Sequence, residues 1–347
     1  MGTFPIPAAI QKFFQQDFMT ENIKQLDYPM EWAILDFFPT RDYPSNVLKS
    51  NIDVDTRKIS TNGFRPQGGQ SHTLTYNEKA ARQIDLIPFI LSNNFKELDI
   101  LTQADPNNKS TQDTIQRLIV DYQQMQGKTI NNTIAYACWM ILTNDGVFEI
   151  SNNDVSYEAD YGIAAWQKTA ANTLTSNDKW SEYTQADSKP FEDLETWRLK
   201  GLTNGGGRFS EILMNSVTFE TFINHPTVKD YMSDRLLDAY FTQRIPSIPV
   251  KGFNIKLIDD MYETEYDTTG VKYIADGELV MKAAGTLGEV PLGISLIPGN
   301  NGLVNTVGFY SYASTTDDAP SVKIISGTKM LPDLKKRYGF LHADTEG

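Results

Sequence analysis

Between Ser110 and Leu142 the apolar residues Ile115, Leu118, Ile119, Tyr122, Met125, Ile130, Ile134, Cys138 and Ile141 return at steps close to three and four. That is the period of one helical face. Ser110 and Asp113 stand ahead of them in capping-box spacing, so the stretch predicts a single long amphipathic helix. At about 1.5 Å per residue it spans roughly 45–50 Å, more than a globular helix ordinarily needs. Gly127, near the middle, costs roughly 1 kcal/mol against alanine and marks a place for a bend. Asn144-Asp145-Gly146 ends the helix and feeds into Val147, Phe148 and Ile150, a turn signal followed by a strand. Two readings stay open on this stretch alone: a core helix of any mixed domain, or a structural spine.

A chain of 347 residues with 40% hydrophobic content can bury a substantial core as one large domain with subdomains, or as two domains. No apolar run approaches eighteen residues, and Met1 to Pro7 lacks the basic-then-apolar layout of a signal peptide. The expectation is an intracellular protein with no membrane partner. The single cysteine, Cys138, forbids an intrachain disulfide, and its place on the apolar stripe predicts a buried, inert thiol. With 44 Asp and Glu against 31 Lys and Arg, the net charge of −13 repels nucleic-acid phosphates and argues against a dedicated DNA- or RNA-binding domain.

From Pro7 to Phe38 the chain is rich in apolar groups, among them Phe13, Phe14, Phe18, Trp32, Ile34, Phe37 and Phe38, but is broken by Pro29. These groups either fold back on their own domain or need another chain, since so apolar a patch is unusual on a monomer. Residues Pro44 to Pro88 are more polar. Ile52 and Val54, then Leu74 and Tyr76, alternate with polar neighbours, and Gly63, Pro66, Gly68 and Gly69 lie between the two runs. That pattern predicts a long two-stranded arm, which is marginal in water unless it lies on something else. Arg57, Lys58, Arg65, Lys79 and Arg82 make it the more basic part of an acidic chain.

Beyond the long helix, Val147–Ile150 and Val155–Tyr157 predict a hairpin, and Phe191–Leu202 a helix that stops before Asn204 and three glycines. No Lys-Ser or Lys-Thr follows those glycines, so they read as a loop or C-cap and not as a phosphate loop. Residues 211–215 predict a strand. Ser216 then caps a helix to Asn224, Pro226 starts another to about Leu237, and strands follow at 253–258, 271–274, 279–281 and 322–325. Strands and helices mixed in this order argue a compact α+β unit. The acids Asp259, Asp260, Glu263, Glu265 and Asp267 lack the spacing of a calcium loop and read as a solvated hairpin. His72, His225 and His342 are scattered without metal spacing, and no nucleophile elbow or dinucleotide fingerprint is present. The expectation is no enzyme, no catalytic residue, no cofactor and no metal.

In this order, the chain resembles the major capsid protein of tailed bacteriophages, specifically the lambda major head protein E family. The stretches that carry the resemblance are Ala33 to Tyr43, Arg65 to Thr75 around Gly68-Gly69, the long helix, Val155 to Gly162, Phe253 to Gly288, and Ser321 to Leu331 with Val322-Lys323-Ile324-Ile325-Ser326. The resemblance implies the Hong Kong-type α+β capsid fold that encapsulins share. It divides the chain into an N-terminal arm (1–45), an extended hairpin loop (46–92), a peripheral domain (93–184) with a spine helix (110–142), an axial domain (185–299) and a C-terminal return into the peripheral domain (300–347).

The implied function is a major head protein that assembles with itself, through pentamers and hexamers, into an icosahedral shell. Such a shell encloses double-stranded DNA without sequence-specific binding. Arm and loop would clamp adjacent subunits, with Phe13, Phe14, Phe18, Arg57, Arg65, Gly68, Gly69 and Arg82 as inter-subunit contacts. Scaffold, portal and decoration proteins are further implied partners, the virion the implied location, and the host bacterial cytoplasm the place of assembly. Two alternatives stay open: an encapsulin-like compartment shell, and an acidic carboxylate-dependent hydrolase.

Overall fold

The structure, a computed structural model, describes residues 12–25, 33–51, 81–96, 109–151, 156–232, 247–263, 269–299, 302–315 and 321–347. Its helices are α1 (Gln16–Gln25), α2 (Lys109–Thr143), α3 (Pro190–Thr203), α4 (Ser216–Asn224) and α5 (Pro226–Lys229). The first strands are β1 (Thr40–Asp42), β2 (Val47–Asn51), β3 (Ala81–Asp85), β4 (Ile87–Lys96), β5 (Val147–Ser151) and β6 (Ser156–Asp160). The middle of the chain adds β7 (Phe209–Met214), β8 (Ile248–Val250), β9 (Phe253–Leu257), β10 (Met261–Tyr262), β11 (Val271–Lys272), β12 (Glu278–Ala283) and β13 (Gly288–Leu292). Last come β14 (Ile294–Gly299), β15 (Gly302–Val307), β16 (Tyr310–Thr315), β17 (Ser321–Met330), β18 (Asp333–Leu334) and β19 (Phe340–Asp344).

Helix α2 runs unbroken through Gly127 over 35 residues. Its buried stripe is Ile115, Ile119, Gln123, Gln126, Ile130, Ile134, Cys138 and Ile141. The expected stripe took Tyr122 and Met125 for its centre, but Met125 is 51% exposed and two glutamines occupy the inward positions. Their amide nitrogens are hydrogen-bonded, while both amide oxygens are buried without a partner among the described residues. Gln123 Nε2 donates to the Met19 carbonyl at 2.8 Å and to Ser311 Oγ at 3.0 Å. Gln126 Nε2 donates to Asn93 Oδ1 at 2.7 Å and to the Ile324 carbonyl at 3.0 Å. Helix α2 is therefore fastened to α1, β4, β16 and β17 by directional bonds at its centre and by apolar packing at both ends. At its C-terminus Asp145 (φ 48°) and Gly146 (φ 77°) turn the chain into the β5–β6 hairpin. A Cβ on Gly146 would come within 2.8 Å of Ile163, so glycine is required there.

Two larger sheets flank this helix. One has the order β19-β12-β7-β9-β8, with β7 and β9 parallel and the other pairs antiparallel. Its residues alternate between two cores. Leu213, Val280 and Phe340 face the C-terminal half of α2 with Trp139, Ile134 and Phe38. Ile212, Met214, Leu279, Met281, Leu341 and Ala343 face Trp197 of α3 and Phe219 and Phe222 of α4. Each fully buried Val, Leu, Ile, Phe or Met among them contributes roughly 1.5–3 kcal/mol. In the second sheet β17 is paired over its whole length with β4 and along part of it with β16. Strand β13 joins at Leu292–Met330 and carries β1 parallel to it.

Several expectations shift. Strand β13 lies within residues 185–299 yet belongs to the second sheet, while β19, in 300–347, closes the first. Alternation says which face of a strand is buried, but not which strand lies beside it. Strands β14 to β16 follow β13 in a stretch the sequence reading left unassigned. Helix α4 is capped by Asn215, whose side chain accepts from Thr218 N, and not by Ser216. Asp259 is not a free solvated acid: its Oδ1 accepts from Ser216 N at 2.8 Å, beside the α4 N-terminus. Helix α5 ends at Lys229; residues 233–237 of the longer expected helix lie outside the described residues, as do Glu265 and Asp267.

Candidate assembly surfaces

The root of the predicted loop is a two-stranded ladder. Strands β2 and β3 pair antiparallel from Val47–Asp85 to Asn51–Ala81, with no third strand among the described residues. Arg82 sits in this ladder opposite Ser50. Arg57, Arg65, Gly68 and Gly69 lie outside the described residues.

The arm behaves differently from the reading in which it needs a neighbour. Phe13 and Phe14 are buried with Met19 of α1 against Ile115 and Ile119 of α2 and Val322 and Ile324 of β17. Thr20 Oγ1 donates to the Ser311 carbonyl at 2.8 Å, and Lys24 Nζ to the Val307 carbonyl at 2.8 Å. Those phenylalanines therefore complete the chain's own core. Phe18 is half-buried, tilted against Phe13 at 5.9 Å between ring centroids. It keeps part of its ring at the surface.

Sequence reading missed another apolar surface. The β14–β15 hairpin pairs Pro298 with Leu303, so Leu296, Pro298 and Leu303 share one face. Leu296 is 58% and Leu303 67% exposed, while Ile297 on the opposite face is buried. The signal was the alternation of Leu296 and Pro298 about Ile297 before the Asn300-Asn301-Gly302 turn.

Charged groups in the interior hold layers together. Lys282, fully buried, lies 3.0 Å from Glu211 Oε2 and donates to the carbonyls of Ala283 and Gly285 at 3.1 Å. Its ammonium stands 4.0 Å over the Phe37 ring, joining the segment before β1 to the five-stranded sheet. Burial pushes the Lys282 pKa down, against the opposing pull of Glu211. Burial also pushes the Cys138 thiol up, in keeping with an inert group. Asp193 rises to about 6 through burial, partly opposed by the hydrogen bond that Trp180 Nε1 donates to it. An open groove of about 570 Å³ between α2 and the β10–β11 hairpin is lined by Asn132, Tyr136, Tyr262, Glu263 and Tyr273, among others. Among the described residues Glu263 is its one lining carboxylate. Among the described residues, no group of three or more His, Cys, Asp or Glu fit to hold a metal occurs, and no helix is long and apolar enough to cross a membrane.

A family model described as phage major capsid protein E matches residues 16–340. Among solved structures, the putative capsid protein of a prophage of E. coli CFT073 overlays with a TM-score of 0.62 and 12% identity, covering 96% of this chain and 99% of that one. A phage-related protein from Bordetella bronchiseptica RB50 overlays with a TM-score of 0.54 and 10% identity, over 95% and 97%. At these identities the two overlays bear on the fold. No curated protein sequence is matched.

Proposed function

Because the chain belongs to the phage major capsid protein E family and is a shell-forming structural protein of the virion, we propose that it closes with its own copies, through pentamers and hexamers, into the shell around phage DNA. In this reading the axial sheet and its helices meet at the centre of each ring. The loop expected at 46–92 clamps an adjacent subunit. Each contact is weak, and symmetry repeats it around a closed surface. The division into arm, loop, peripheral and axial parts at residues 45, 92, 184 and 299 is part of this proposal, with β13 and β19 exchanged between the two sheets. Phe18, Arg57, Arg65, Gly68, Gly69 and Arg82 remain contact candidates. Phe13 and Phe14 act by holding the arm on α2. Scaffold, portal and decoration proteins are further partners, and assembly takes place in the host cytoplasm.

The observation that supports the loop's role is the β2–β3 ladder, which has no third strand among the described residues, since a two-stranded ribbon is marginal in water until something covers it. Family membership favours the phage shell over an encapsulin-like compartment. The test is deletion of Gly63 to Gln70. The expected product is a soluble, folded subunit that forms no closed particles in electron micrographs. Normal shells from the deleted chain would overturn the clamp role.

A further inference from the structure

Strand β19 closes the edge of the five-stranded sheet against β12 and pairs His342 with Val280. Phe340 and Val280 face the core on α2, so His342, two residues from Phe340, lies on the same side. Its side chain is 2% exposed. Three other elements converge on the ring. Thr169 Oγ1 lies 2.5 Å from Nδ1, and Glu278 Oε2, at the start of β12, lies 3.2 Å from Nε2. Asp145, in the turn that ends α2, has Oδ1 3.8 Å from Nδ1.

Asp145 Oδ1 accepts from Thr169 N at 2.8 Å and lies 3.0 Å from Thr169 Oγ1. The Thr169 hydroxyl has one hydrogen to share between Asp145 and Nδ1. With the imidazole protonated, Nδ1 donates to Thr169, the hydroxyl donates to Asp145 and Nε2 donates to the Glu278 carboxylate, so all of these groups are paired at once. Either neutral tautomer gives up one of these links.

We propose that His342, Thr169, Asp145 and Glu278 form a pH-sensitive clamp, which bolts the edge of the five-stranded sheet to the end of helix α2 while the imidazole is protonated and slackens when it is not. On deprotonation the proton leaves to solvent and one link is lost. If Nε2 is bare, its lone pair faces the Glu278 carboxylate. If Nδ1 is bare, Thr169 must turn its hydrogen from Asp145 to the ring.

The charges around the ring agree with this. Strand β12 contributes Glu278, the α2–β5 turn contributes Asp145, and the Thr169–Ala171 turn contributes the neutral Thr169. Lys200 of α3 stands one residue back: its Nζ donates to Asn172 Oδ1 at 2.7 Å, and Asn172 Nδ2 donates to the His342 carbonyl at 3.2 Å. Burial alone would lower the His342 pKa; Asp145 and Glu278 outweigh it, and the pKa is raised above the ordinary 6.5. A raised folded value means the contribution is complete below about 6.5 and is lost as pH rises through the folded pKa. Asp145 sets the acid limit. Its hydrogen bonds with His342 and Thr169 hold it at about 2, so its contribution is lost as pH falls from about 3.8 toward 2.

The experiment is a pH titration of the full chain, labelled with ¹⁵N at histidine, by NMR in solution or by magic-angle spinning of particles. The chain has three histidines, and His72→Gln and His225→Gln assign the His342 signal by elimination. The expected spectrum has both His342 ring nitrogens protonated at pH 6, with a midpoint above the ordinary value. Glu278→Gln should lower that midpoint by about one pH unit. A neutral His342 tautomer at pH 6, or a midpoint unmoved in a folded Glu278→Gln chain, would overturn the clamp. The wild-type spectrum decides the first point whether or not the variant folds.

Discussion

Glu211 stands between two ammonium groups, 3.0 Å from the buried Lys282 and 3.6 Å from Lys256. Breaking a buried pair from one side leaves an uncompensated charge, at a cost of roughly 3–5 kcal/mol. Glu211→Gln should therefore lower the urea midpoint of the subunit sharply. Glu211→Leu with Lys282→Met, which removes both charges, should recover most of that loss. Equal losses for the two variants would place the energy in packing and not in the charge. Ile134→Ala, in the core shared by α2 and the five-stranded sheet, should cost roughly 2–5 kcal/mol by the same measurement. Positions such as Ile134 are legible in sequence because apolar side chains have one good place to go. Gln123 and Gln126 were not legible, because glutamine ordinarily faces solvent. The carbonyls, hydroxyl and side-chain amide supplied by α1, β4, β16 and β17 make the inward positions suitable.

The elements fall into those that local sequence specifies and those that partners specify. The long helix was expected at 110–142 and is found at Lys109–Thr143, because its period and the Asn144-Asp145-Gly146 stop are both local signals. The same holds for the β5–β6 hairpin and for α3. Strands β13 and β19 carry no such signal of their partners: β13 pairs with β1, β17 and β18, and β19 with β12. For the arm, apolar residues alone left open whether the neighbour was the same chain or another; α2 and β17 supply it. Removing residues 1–25 would strip Phe13, Phe14, Met19 and Ile23 from the chain's own core. The truncated subunit should melt at a lower temperature than wild type in a calorimeter, unlike the loop deletion. An unchanged melting temperature would return those residues to the role of an inter-subunit patch.

For the molecule as a whole, the net charge of −13 sets subunits against one another before they meet. Repulsion between exposed charges is screened within about 10 Å at 0.1 M salt. Particle formation followed by light scattering should therefore quicken as salt rises from low values. Slower assembly with added salt would mean that attraction between unlike patches governs the encounter. The central claim is that this chain completes itself against copies of itself. Electron microscopy of the purified wild-type protein tests it most directly. The account predicts closed icosahedral shells with fivefold and sixfold clusters of subunits; a uniform population of 39.1 kDa monomers under every concentration and salt condition would contradict it.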